Sequence, residues 1–147
     1  MTKRAVQHHL PLELAQAVLS EKKAISATED DVYGSIRNGV SYQKDGNFSR
    51  WRVRFYIIDD YVRAQLLHNP TKNVLVALDH HVGRSKNPDG SIVEPGYHFD
   101  VMPPLSLQPT KIKIHCGSLP DDGLEVFRYV CFMWKICLSQ ATTKRLR

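Results

Sequence analysis

The sequence predicts an α+β fold, a mainly antiparallel sheet with an N-terminal helix and a C-terminal helix packed on it. Three observations support this. Residues 50–57 and 111–116 alternate cationic and apolar side chains with a period of two, the signature of half-buried strands. Turn chemistry recurs at Asp59-Asp60, Asn69-Pro70 and Asn87-Pro88-Asp89-Gly90. Apolar residues at helical spacing flank this region on both sides.

In chain order, Pro11 suits the first turn of a helix, where its missing N–H loses nothing. Leu10, Leu14, Ala17, Val18 and Ile25 then predict a helix over about 11–25. Ser26 to Phe48 has no clean period, and Glu29-Asp30-Asp31, Asn38-Gly39 and Asp45-Gly46 read as turns, the last as a hairpin signal. In the strand that follows, Trp51, Val53, Phe55 and Ile57 point to the core, while Arg50, Arg52, Arg54 and Tyr56 point away. A second strand is expected from Tyr61 to Leu67, with Val62, Ala64 and Leu66 inside. Val74 to Leu78 is a continuous apolar run, as in a strand covered on both faces. Pro103-Pro104 is a further break.

In the segment Lys111 to Cys116, Ile112, Ile114 and Cys116 face in, with Lys111, Lys113 and His115 out. From Leu124 to Leu138 the large apolar residues suit either one helix, capped by Asp121 or Asp122, or two strands; length favours the helix.

The 147 residues set the expectation of a single domain over 1–147, with short basic arms at about 1–9 and 141–147. Apolar content of 42% and charged content of 24% exclude a collagen-like, low-complexity or wholly disordered chain. No apolar run of the secretory kind follows Lys3-Arg4. The segment 124–138 is too short and too charged for a membrane span. Three unpaired cysteines, Cys116, Cys131 and Cys137, fit a reducing compartment, so the cytosol is the expected location, with the nucleus also open.

The net charge of +5 is unevenly distributed. Residues 49–75 carry five basic against two acidic groups, and residues 111–147 carry seven against three. Side chains two apart on a strand stand about 6.5–7 Å apart, so Arg50, Arg52 and Arg54 form a row matched to a phosphate backbone. With Arg63, Lys111 and Lys113 on the same face, and Tyr56 as a stacking group, the surface suits single-stranded nucleic acid or anionic lipid. Against this stands the ordinary polar exterior of an antiparallel sheet.

Enzymatic signals are sparser. No Gly-rich phosphate loop and no Gly-x-Ser-x-Gly elbow occurs, and nothing implies a nucleotide cofactor. Asp79-His80-His81 ends an apolar strand, and with His98, Asp100 and His115 it makes a composite zinc site conceivable. Adjacent histidines on a strand point to opposite faces, so His80 and His81 do not share one metal there. A strand-end histidine is more often a hydrogen-bonded structural residue, so no metal ligand is assigned. The tripeptide Asp79-His80-His81 is similar to one found in a family of metal-dependent phosphoesterases; the match covers three residues, and that family's other acidic motifs are absent.

The preferred reading is a non-enzymatic, self-associating protein that binds nucleic acid, RNA among the candidates, or an anionic membrane surface through Arg50, Arg52, Arg54, Tyr56, Arg63, Lys111 and Lys113. In organisation and charge it resembles the small basic matrix, coat or accessory proteins of viruses, a likeness that covers no motif. The alternatives are a small metal-dependent hydrolase or nuclease using Asp79, His80 and His98, and an adaptor that binds a protein partner through Trp134 and its apolar neighbours.

Overall fold

Alternation of apolar and polar residues places one face of each strand against the helices, and the residues around Trp51 do this with little deviation. A computed structural model describes residues 12–46, 49–102, 112–117, 119 and 122–139. In it the elements run α1 (Leu12–Ser20), β1 (Lys23–Thr28), α2 (Glu29–Arg37), β2 (Tyr42–Asp45), β3 (Trp51–Ile58), β4 (Tyr61–His68) and β5 (Asn73–His81). They continue with β6 (Ser85–Lys86), β7 (Ile92–Val93), β8 (Gly96–Val101), β9 (Ile112–His115), α3 (Gly123–Met133) and β10 (Ile136–Ser139).

The main sheet has six strands in the order β2-β3-β4-β5-β8-β9, every neighbouring pair antiparallel. The expected mixed α+β architecture, with a helix near each end and a largely antiparallel sheet, is what forms. Trp51, Val53 and Phe55 on β3, with Val62, Ala64 and Leu66 on β4, are buried on the inner face, as their alternation predicts. Val32 and Ile36 of α2 and Val126, Phe127 and Val130 of α3 belong to the same core. Phe127 meets Phe55 edge-on with ring centroids 4.9 Å apart, which fixes α3 over the middle of the sheet. A bulge between Leu66 and Leu67 lets Leu75 and Val76 both be buried, but Val74 and Ala77 are only half-buried, so the apolar run of β5 is not covered on both faces as expected.

Several expectations are corrected. The first helix ends at Ser20, and Ile25 lies in β1, where Lys23, Ile25 and Ala27 alternate as buried residues. Glu29-Asp30-Asp31, read as turn chemistry, is the first turn of a helix, α2. Thr28 caps it by accepting from the Asp31 amide, and the Asp31 carboxylate accepts from the Thr28 amide in return, a reciprocal capping box. Arg128 of α3 then grips Glu29 with two hydrogen bonds of 2.7 and 2.9 Å, tying the start of α2 to α3 and holding the Glu29 carboxyl below its usual range.

Both readings of the segment from Leu124 are partly right: α3 stops at Met133 and β10 follows. Asp122 caps the helix by accepting from the Leu124 amide. β10 pairs in parallel with β1, and the Lys23 amide donates to Lys135 O at 2.7 Å. Ile114, expected inside, is 51% exposed: it sits on the inner-face side of β9, beyond the cover of the helices. Phe127, Trp134 and Ile136 are buried, whereas Phe132 and Met133 are exposed. Lys111, Pro11, Pro103-Pro104 and the two basic arms lie outside the described residues.

Candidate metal centre

The face of the sheet opposite the helices carries the polar residues, and cross-strand register sets which of them meet. Arg52 lies opposite Leu67, Arg54 opposite Gln65, and Tyr56 opposite Arg63. On β5 the same face presents Ala77, Asp79 and His81; on β8, paired with it, His98 stands directly opposite Asp79 and Asp100 opposite Ala77. Lys113 stands opposite Asp100, and His115 opposite His98. The basic residues are therefore split. Arg52, Arg54 and Arg63 are neighbours, while Lys113 lies beyond β5 and β8, with Asp79 and Asp100 between. Arg50 precedes β3 and pairs with Glu21.

Most of these cations have anionic neighbours. Arg52 bonds Asp45 at 2.6 Å, holding the Asp45 carboxyl below its ordinary range. Arg63 pairs with Asp79 across the β4–β5 ladder. Arg54 lies 4.6 Å over the Tyr56 ring, a cation–π contact that occupies the proposed stacking group with its own neighbour.

A different cluster emerges on β5 and β8. Asp79, His81 and His98 each offer a donor atom, and the three atoms all lie within 4.8 Å of one another. The geometry follows from the pleat: residues 79 and 81 share a face because they are two apart, and His98 joins them because it is the cross-strand partner of Asp79. His80, the histidine of the sequence-derived alternative, points the other way. Its ring stacks on Tyr61 at 3.6 Å and meets Tyr97 edge-on at 4.8 Å. His81 takes its place beside Asp79.

The two oxygens of Asp79 have separate duties. Oδ1 accepts from Arg63 and from the His80 amide, the latter at 2.8 Å, while Oδ2 faces His81 Nε2 at 3.1 Å. Arg63 and the His80 amide thus orient the carboxylate from outside and leave Oδ2 toward the two imidazoles, the arrangement that outer partners of metal ligands adopt. His98 is fully buried, with its ring edge-on to His81 at 4.4 Å. Its Nε2 lies 2.9 Å from Asp100 Oδ1, within ion-pair range but out of line for a hydrogen bond, and Nδ1 has no partner among the described residues. The Arg63 Nε is also buried without a partner there. Buried polar atoms are nearly always hydrogen-bonded, so an unbonded imidazole facing two further donors is the unusual feature of this face.

His115 does not join the cluster. Its Nε2 donates to Pro95 O at 3.2 Å and its Nδ1 accepts from the Gly117 amide at 3.0 Å, which fixes a neutral tautomer and uses both nitrogens. The β6–β7 hairpin is anchored on β9 at this end of the sheet: the Asn87 side chain accepts from the Lys113 amide at 2.8 Å and donates to its carbonyl at 2.9 Å. The turn predicted at Asn87 to Gly90 builds this anchor, with Gly90 at a positive φ of 92°. A cleft of about 430 Å³ opens alongside, lined by Asp59, Tyr61, Arg63, His80, His81, Val82, Gly83 and Arg84.

Burial pushes the Cys116 and Cys131 thiols up to about 12, far from a reactive thiolate. Among the described residues no helix is long and apolar enough to cross a membrane. No protein-family model, no curated protein and no solved structure matches this chain.

Proposed function

We propose that the protein binds a transition-metal ion, zinc in the first instance, through Asp79, His81 and His98, and that it is a small metal-dependent hydrolase. The observation that carries this reading is His98: a fully buried imidazole with no hydrogen bond, placed within 4.8 Å of the donor atoms of Asp79 and His81. One carboxylate and two imidazoles are a donor set that zinc, iron(II) and related ions accept. Tetrahedral donors around zinc at about 2.1 Å stand about 3.4 Å apart; Asp79 Oδ2 and His81 Nε2 already lie 3.1 Å apart, and no donor pair exceeds 4.8 Å, so loading needs only small side-chain shifts. A three-ligand site leaves a position for water, and zinc lowers the pKa of bound water to about 7, giving hydroxide at neutral pH. His81 belongs to both the donor set and the wall of the cleft, which places that cleft next to the ion such a site would hold.

The test is metal content and thermal stability. Protein dialysed against zinc is expected to retain one ion per chain. At zinc a hundredfold above Kd the gain is about 2.7 kcal/mol, which raises the Tm by about 8 °C for a chain of this length. Asp79→Asn and His81→Ala remove both effects. No retained zinc and an unchanged Tm in the wild-type protein overturn the reading.

A further inference from the structure

We infer that the cleft beside the metal centre takes the phosphate group of a small phosphate ester. This rests on the metal reading above and adds the substrate class to it. Two guanidinium groups, Arg63 and Arg84, line the cleft, against the single carboxylate of Asp59. Arg63 spends one terminal nitrogen on Asp79, and its Nε is buried with no acceptor among the described residues. Arg84 pairs through Nε with Glu94 at 3.1 Å, and its side chain is 70% exposed at the rim, so its terminal nitrogens face solvent.

Charge decides the sign of the ligand. Arg63 and Arg84 are paired with Asp79 and Glu94, and with Asp59 the two guanidiniums face three carboxylates, a net of −1; a divalent ion on Asp79, His81 and His98 turns that to +1 and makes the loaded site one for an anion. A neutral ester has no use for three cationic centres. A carboxylate offers two oxygens. A phosphate monoester offers three non-bridging oxygens, enough for the metal, Arg63 and Arg84 at once, and guanidinium groups match its geometry. The volume of about 430 Å³ suits a small molecule and not a long polymer segment. In hydrolysis the oxygen of water would bond to phosphorus as the P–O bond to the alcohol breaks and a proton of that water passes to the leaving oxygen, giving inorganic phosphate and the alcohol; an ion held by Asp79, His81 and His98 would supply the activation of that water.

The experiment is calorimetric titration of the zinc-loaded protein with phenyl phosphate, beside benzyl alcohol as the neutral control. Phenyl phosphate is expected to bind and benzyl alcohol not to. Arg84→Gln is expected to weaken phenyl phosphate at least tenfold while leaving zinc affinity within about twofold, because Arg84 holds the anion and not the ion. Zinc binding with no phenyl phosphate binding, or with equal phenyl phosphate affinity in Arg84→Gln, overturns this inference and leaves the metal reading standing. Failure to bind zinc overturns both.

Discussion

Replacing Lys23 by methionine is expected to change how stability depends on pH, in a direction set by where the ammonium sits. Lys23 is fully buried, and its Nζ donates to Leu19 O at 3.3 Å, Glu21 O at 2.9 Å and Trp134 O at 2.9 Å. These carbonyls lie at the ends of α1 and α3, where backbone acceptors lack intrahelical partners. One amine thus closes two helix ends and joins the N-terminal segment to the C-terminal one. Burial pushes its pKa down from 10.5 to about 8, with Glu21 opposing the fall and Lys135 adding to it. Between those values the unfolded chain holds a proton that the folded chain has lost, so the contribution of Lys23 to stability rises as pH rises. The fall corresponds to about 3 kcal/mol, of which about 2.5 is reached by pH 10.

At pH 7 the two effects of Lys23→Met oppose each other. Relief of the buried charge is worth about 3 kcal/mol, and the lost bonds to three carbonyls, only one of them deeply buried, cost about 2–4 kcal/mol. The variant is therefore expected within about 2 kcal/mol of wild type at pH 7. The assay is urea unfolding followed by fluorescence of the buried Trp51 and Trp134 at pH 7, 8, 9 and 10. The buried thiols weaken the fold as pH climbs toward 12, because the unfolded thiols ionise first, but they are common to both proteins and cancel in the difference. Wild type minus variant should climb by about 2–3 kcal/mol from pH 7 to 10. A difference constant to within about 0.5 kcal/mol refutes the account of Lys23.

Two further outcomes concern the first helices and the basic row. Thr28→Ala removes the hydroxyl that receives the Asp31 amide and should cost about 1 kcal/mol in urea unfolding, read at pH 7. Arg52→Glu with Arg54→Glu lies on the exterior face and should leave the circular dichroism spectrum unchanged. If that row binds single-stranded RNA, wild-type anisotropy with a labelled strand shows binding that falls by about 0.7 log units per phosphate contact for each log unit of salt, and the double variant abolishes it. Absence of wild-type binding leaves the row as sheet exterior.

The sheet was legible because its signal is local. In β3 and β4 the inner residues alternate strictly, and no long-range information is needed to place them. What stayed hidden depended on partners elsewhere in the chain. β1 is a strand because β10, more than a hundred residues away, pairs with it. The end of α3 carries no sequence marker, since the residue in the left-handed region is Lys135 at φ 58° where glycine is the usual sign. The capping box of α2 was present as Thr28 and Asp31, but with aspartate in the place where glutamate is the familiar partner, and three acidic residues in a row read as a turn. For the candidate site, period two excludes a shared role for His80 and His81, and Asp79 and His98 were both visible. Choosing His81 over His80 required knowing which face of β5 meets the helices, and pairing with His98 required the β5–β8 register.

The cluster on β5 and β8 also has a purely structural reading, and His98 is where the two readings part. Arg63, Asp79 and His81 pair with one another across the sheet and need no ion to do so. His98 gains nothing from that pairing. Leaving buried polar atoms unbonded costs about 1–3 kcal/mol per group, and leucine at that position would fill similar space without the penalty. In His98→Leu the lost contact with Asp100, which lacks hydrogen-bond alignment, is offset by removal of the unbonded ring nitrogens. The metal-free variant should therefore unfold within about 1 kcal/mol of wild type, whereas a hydrogen-bonding structural histidine would lose about 1–3 kcal/mol. The zinc-dependent rise in Tm should disappear with it. A rise that survives in His98→Leu places the ion elsewhere and removes His98, and with it the present assignment of the site.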